Sequence, residues 1–199
     1  MMKGQSQIIA IVLIITLGLA SLAFVLPWTY GMIQKKKDMK NLDDAYNFFN
    51  NLDETVRNVA KNGGEESLRL EAPGLLSVYP ESVNDPLNNS IVFIFRSKVS
   101  NIAEGDWIPL NTPNMNESAT LGLDTPSVIF SRATRTDDEI EIQYRLWYRK
   151  LIDPSGRGYV IVLNTTDNNA KSTTSGFMRI QRLSSSGKPL TTTEINIII

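Results

Sequence analysis

The sequence predicts an α+β fold, with one long N-terminal hydrophobic helix followed by an antiparallel β-sandwich or barrel-like head. Three observations predict it. Ile8 to Leu26 is a run of 19 residues without a charge, enough to cross a hydrocarbon core of about 30 Å at a rise of ~1.5 Å per residue. From Leu42 apolar residues recur at spacings of three and four, the period of a one-sided helix. Beyond Glu65 the pattern turns to period two, in short segments broken by Gly, Pro and Asn.

Lys3 to Gln7 is a short polar head carrying one basic residue and one glycine, and it leads directly into the apolar run. A cleaved secretory signal has an apolar core of roughly 7–15 residues and then a small-x-small site. Here Ala20-Ser21-Leu22-Ala23 supplies a site, but Phe24, Val25 and Leu26 continue past it. Helical patterning also resumes after the run, so the apolar segment reads as the first half of one retained helix. Pro27 removes a backbone bond to the Ala23 carbonyl and favours a kink. Trp28 and Tyr30 fall where amphipathic rings collect at a membrane–water interface, and Lys35, Lys36, Lys37 and Lys40 form a basic collar behind them.

Leu42, Ala45, Phe49, Leu52, Val56 and Val59 make the apolar stripe of the second half; Phe49 to Val59 are expected to pack on the chain's own β domain, and packing of the helix's first turns on copies of itself is the alternative. Asn62-Gly63-Gly64 ends it. Strands are predicted over residues 67–71, 75–79 and 91–95, the last a continuous apolar run suited to a central position. Residues 97–127 hold Pro109, Pro113 and Pro126 and read mostly as loop, and residues 128–130 as a brief pairing. Residues 140–149 alternate most clearly. Asp153 to Gly158 has turn chemistry, so residues 159–163 are expected to return as the hairpin partner of that strand. Residues 177–183 and 194–199 complete the set.

The opening residues resemble those of the archaeal type IV pilin and archaellin superfamily, the likeness resting on Lys3-Gly4-Gln5 set immediately before the apolar run. The resemblance implies a leader of residues 1–4, cut by a membrane prepilin peptidase between Gly4 and Gln5. It implies a transmembrane and filament-core helix over 5–33, an amphipathic extension over 34–63 and a pilin-like β-rich extracellular head over 65–199. The fifth mature position is Ile9, where the better-known bacterial members carry glutamate. The resemblance also implies a homopolymer at the cell surface, membrane lipid as partner before assembly, and a pilus assembly ATPase on a membrane platform. Small residues Ala10, Gly18, Ala20 and Ala23 are the candidates for close helix packing.

Composition removes several classes. Residues 41–199 hold 15 of the 20 basic and 20 of the 21 acidic residues, a net of −5, so the head lacks the basic face that nucleic acid requires. There is no cysteine and no histidine, which removes the thiol nucleophile, the usual general base and the common transition-metal ligands. The acidic cluster Asp137-Asp138-Glu139 has calcium-type oxygens but reads first as a solvated turn. Gly156-x-Gly158 is too short for a phosphate loop, and Arg132 and Arg135 sit in no motif. No catalytic residue, cofactor or metal is expected. Three Asn-x-Ser/Thr sequons, at Asn88, Asn116 and Asn164, all lie in the head and are glycosylation candidates.

The function that the resemblance implies is a structural subunit of an archaeal type IV pilus-like surface filament, assembled through its N-terminal hydrophobic helix, for adhesion or surface interaction. Two alternatives stand beside it. One is a single-span membrane-anchored β-rich binding protein or a minor pilin that does not polymerise. The other places the head in the cytoplasm, because four lysines after the span outnumber Lys3 and the terminal amine before it.

Overall fold

The computed structural model describes residues 3–199, with side chains from Ala10 onward. A single helix, α1, runs from Lys3 to Asn62 with Pro27 inside it. The chain divides between Met39 and Lys40 into two compact units, the second of which holds the rest of α1 and the β-rich head.

In the first unit, α1 is long and apolar enough to cross a membrane, and no part of its most apolar window is buried. In the second unit the same helix changes character. Leu42, Ala45, Phe49, Leu52, Val56 and Val59, the stripe read from the sequence, are all at most 1% exposed. They lie at i, i+3, i+4 spacings and so share one face. Gly63 ends the helix at a φ of 80°, its N–H bonding the Val59 carbonyl at 2.8 Å. The left-handed residue after the last turn is the usual stop. The Arg182 guanidinium donates to the Ala60 carbonyl at 3.2 Å and so satisfies one of the last-turn acceptors. A Cβ on Gly63 would stand 2.6 Å from that guanidinium, so the position favours glycine on two grounds.

Twelve strands follow among the described residues: β1 (Glu65–Arg69), β2 (Leu75–Tyr79), β3 (Ser90–Ser97), β4 (Ile108–Pro109), β5 (Ser118–Thr120), β6 (Ser127–Thr136), β7 (Glu139–Tyr148), β8 (Lys150–Ile152), β9 (Gly158–Asn164), β10 (Lys171–Thr173), β11 (Phe177–Ser186) and β12 (Leu190–Ile198). They form two six-stranded sheets, ordered β1-β11-β12-β9-β8-β5 and β10-β2-β3-β7-β6-β4. β7 alternates as expected, with Ile140, Ile142, Tyr144, Leu146 and Tyr148 buried and their neighbours half-exposed. The inward faces of both sheets and the stripe of α1 belong to one buried apolar cluster. At about 25 cal/mol per Å² of apolar surface, that shared burial is the main force holding the second half of α1 to the head.

The layout is the α+β one expected, with three differences in detail. The sheets are mostly, not wholly, antiparallel, since β12 pairs with β9 and β5 with β8 in parallel. β6 spans ten residues instead of a brief pairing, along the whole length of β7. Its first five residues are all buried, so both faces are covered there and no alternation marks it as a strand.

The third difference concerns β9, which is not the partner of β7. The chain breaks at Arg149 and crosses to the other sheet, where β8 takes the antiparallel pairing with β9. The cause is a polar anchor. Arg149 is 2% exposed, its guanidinium donating to the carbonyls of Thr125, Asn114 and Asn116 at 3.2, 2.6 and 3.3 Å. Those bonds tie the point where the chain changes sheets to the segment between β4 and β6.

Candidate functional site

The candidate site is the surface of α1 in the first unit, together with the faces of the head that stand ready to meet another molecule. Along the helix the large apolar side chains are solvent-facing, Phe24 being 84% exposed, Trp28 69% and Tyr30 73%. A globular domain does not hold such a surface in water, so lipid or protein has to cover it. Met1 and Met2 of the expected leader lie outside the described residues, whereas Lys3, Gly4 and Gln5 begin the helix.

Ala10, Gly18, Ala20 and Ala23 are exposed, and a Cβ built on Gly18 meets nothing within 4 Å. At about 100° of rotation per residue these four do not share one narrow stripe. They spread over more than half of the helix circumference, and neighbours on several sides would each find a small residue. Thr16 and Ser21 return their hydroxyls to the carbonyls of Val12 and Leu17 one turn earlier, which leaves no free polar donor on this surface from either.

In the head, the three sequons are unequally presented. Asn116 and Ser118 are both exposed, Asn116 in the loop before β5 and Ser118 as the first residue of that strand. Asn88 is half-buried, and Ser90 of its sequon is fully buried with its hydroxyl donating to the Leu87 carbonyl. Asn164 is half-buried at the end of β9, with Thr166 exposed. By access, Asn116 ranks first.

The remaining sequence candidates resolve into structure. Asp137-Asp138-Glu139 contains the tight turn between β6 and β7, with Asp137 at a φ of 54°. Among the described residues no group of three or more acidic side chains is placed to hold a metal ion. Gly156 sits in the β8–β9 turn, where Asp153 Oδ1 accepts from Ser155 N at 2.8 Å, Ser155 Oγ at 2.6 Å and Arg157 N at 2.9 Å. Those donors hold the Asp153 carboxyl down to about 2. Arg135 pairs with Glu104 at 2.7 Å. Arg132 donates to Gln143 at 2.7 Å and lies 4.7 Å over the Trp107 ring.

Sequence reasoning missed two polar hubs and a groove. Asn89, in the left-handed region at a φ of 51°, joins the two sheets. Its amide donates to the carbonyls of Tyr148 and Ile161 at 3.0 and 2.9 Å and accepts from Leu163 N at 2.8 Å. Arg149 is the second hub.

The groove has a volume of about 480 Å³ and is walled by Leu42 and Tyr46 of α1, Ile102, Ile108 and Leu110 of the segment before β5, and Tyr144 of β7. Ser131 lines it as well, and its buried hydroxyl has no hydrogen-bond partner. Asp43 stands at the rim. A net absence of basic residues between Val99 and Ser131, against four acidic ones there, is the signal that was available in the sequence. No family model matches the chain, and no curated protein or solved structure matches it.

Proposed function

We propose that the chain is a structural subunit of an archaeal type IV pilus-like surface filament, assembled through its N-terminal hydrophobic helix and serving adhesion or surface contact. One observation carries the reading: α1 is uncovered and apolar over its first half and buried in a β-rich head over its second. Such a helix is joined to the head by its second half and offers its first half as a surface to others of its kind. The Lys3-Gly4-Gln5 sequence before the apolar run supports the same reading through the resemblance.

The cycle follows from where the apolar surface is covered. Before assembly, lipid covers residues 8–26 and the aromatic pair Trp28 and Tyr30 lies at the interface. The prepilin peptidase of the resemblance removes residues 1–4. The helix then leaves lipid for a bundle of identical helices, a transfer that the hydrophobic effect hardly drives because tails are as apolar as Leu. Close backbone approach at Ala10, Gly18, Ala20 and Ala23 supplies the preference, and the assembly ATPase and platform supply the work of extraction. The head forms the outer wall, with Asn116 as its best-presented glycan acceptor and no role for catalysis, cofactor or nucleic acid.

N-terminal sequencing of a sheared surface fraction tests the reading. A filament protein that begins at Gln5 is the expected result. Full-length protein that starts at Met1 and stays wholly in the membrane sinks it and leaves the single-span anchored protein.

A further inference from the structure

We infer that the 480 Å³ groove is a socket for the α1 stripe Leu26, Tyr30, Ile33 and Lys37 of a second copy of this chain. This goes beyond contact between helices: it seats the helix of one copy on the head of another. It rests on the reading above only in requiring that copies meet.

Two features of the groove match two features of the stripe. Its walls are apolar, and Tyr46, Ile108 and Leu110 are left 37–38% exposed at its mouth. Leu26, Tyr30 and Ile33 are 59–73% exposed on α1 and follow one another at spacings of four and three, so they present one apolar face. Ser131, whose hydroxyl has no partner, is itself fully buried in the wall, so Tyr30 gives its ring to the apolar walls and keeps its own hydroxyl at the wet mouth.

Charge gives the register. Asp43 is at the rim, and the loop that forms one wall carries Asp106, the neighbouring Glu104 being already paired with Arg135. Lys37 continues the stripe one turn beyond Ile33, and Lys35 and Lys36 adjoin it, all exposed. An apolar socket with an acidic rim thus faces an apolar stripe that ends in lysine. The volume lies in the range of about 300–1,000 Å³ typical of sites that enclose an inserted group.

The absence of native cysteine makes the test clean. Full-length Tyr30→Cys and Leu110→Cys variants carrying different tags are co-expressed and oxidised in intact membranes and in the sheared fraction. A covalent pair joining the two tags is expected, at least several-fold above Tyr30→Cys with Leu183→Cys, whose site is on β11 in the other sheet. On that cysteine background, Asp43→Lys or Lys37→Glu alone is expected to lower the yield several-fold, and the two together to restore it.

Yields no higher than the Leu183→Cys control overturn the docking, and so does indifference to both charge reversals. Lipid retained against the groove in the absence of the cross-link overturns it too and assigns the groove to an acyl chain. Cross-links in membranes without any sheared filament would uphold the docking and sink the filament reading. Filaments without the cross-link would do the reverse.

Discussion

Replacement of Gly18 by Leu separates the two environments that α1 is proposed to pass through. A Cβ at this position meets no atom within 4 Å in the single chain, so the substitution creates no clash in the subunit itself. Gly to Leu gains about 0.8–1.0 kcal/mol of helix propensity, and the added apolar surface is welcome in hydrocarbon. In a bundle packed to interior density the same side chain has to displace its neighbours, at a typical cost of about 1–3 kcal/mol. That cost lowers the equilibrium for adding each subunit by roughly five- to more than a hundredfold, and it recurs along the polymer. The assay is paired quantitation of the processed protein in membranes and of filament in the sheared fraction. Normal membrane levels with the leader removed, and rare or fragile filaments, are expected. Filaments of normal number and length would refute the reasoning, because Gly18 would then face a gap.

Two further perturbations test the head. A fragment of residues 40–199 should give a β-dominated circular dichroism spectrum with one short helix. Phe49→Ala within it, removing a ring that is 0% exposed and 5.8 Å from both Phe48 and Tyr144, should cost about 3–5 kcal/mol. That corresponds to a loss of roughly 6–20 °C in Tm for a domain of this size; an unchanged Tm would mean that the helix is not part of the folded unit. Acid should loosen the β8–β9 turn through Asp153, whose carboxyl is lowered from the usual 3.8 to about 2, first by the Ser155 hydroxyl and then by the Arg157 amide. Its stabilising contribution is complete above its unfolded value and is lost as pH falls through about 2. Asp153→Asn should therefore flatten the fall of Tm between pH 4 and 2 relative to the parent. Asp53 acts in the opposite sense, since burial raises its carboxyl and its contribution is lost as pH rises above the usual range. The comparison between variants, not the parent curve alone, isolates Asp153.

The parts of the fold legible in the sequence are those in which one periodicity faces one core. The stripe from Leu42 to Val59 and the alternation of β7 each leave half of their residues to solvent, so pattern and burial agree residue by residue. Where both sides are covered, as over Ser127 to Ser131, pattern disappears and β6 read as a fragment. Where order comes from polar hubs, no local signal exists at all. Asn89 bonds partners 59 to 74 residues away, and Arg149 read as the last residue of the alternating strand 140–149. Because that arginine turns the chain into the second sheet, the hairpin expected of β9 went to the wrong partner. The groove escaped for the same reason, since its walls come from α1, β7 and the segment before β5. The candidate processing site is the reverse case: Lys3-Gly4-Gln5 is a chemical signal that a helical backbone neither adds to nor removes.

The lysine collar is the one feature that sequence rules set against an outward head, and the groove changes its weight. Positive residues after a span predict a cytoplasmic location when nothing else explains them. Lys40 has a local role, paired with Asp44 at 3.0 Å on the same helix face, although an exposed i,i+4 pair of this kind contributes little to stability. Lys37 acquires a second role if it seats against the acidic rim at Asp43 of a neighbouring copy. A collar required for contact between copies is retained wherever the head resides, while its lysines still bias insertion toward a cytoplasmic head. Protease shaving of whole cells therefore decides the orientation: a head cut on intact cells is outside, and a head protected until the cells are opened is inside.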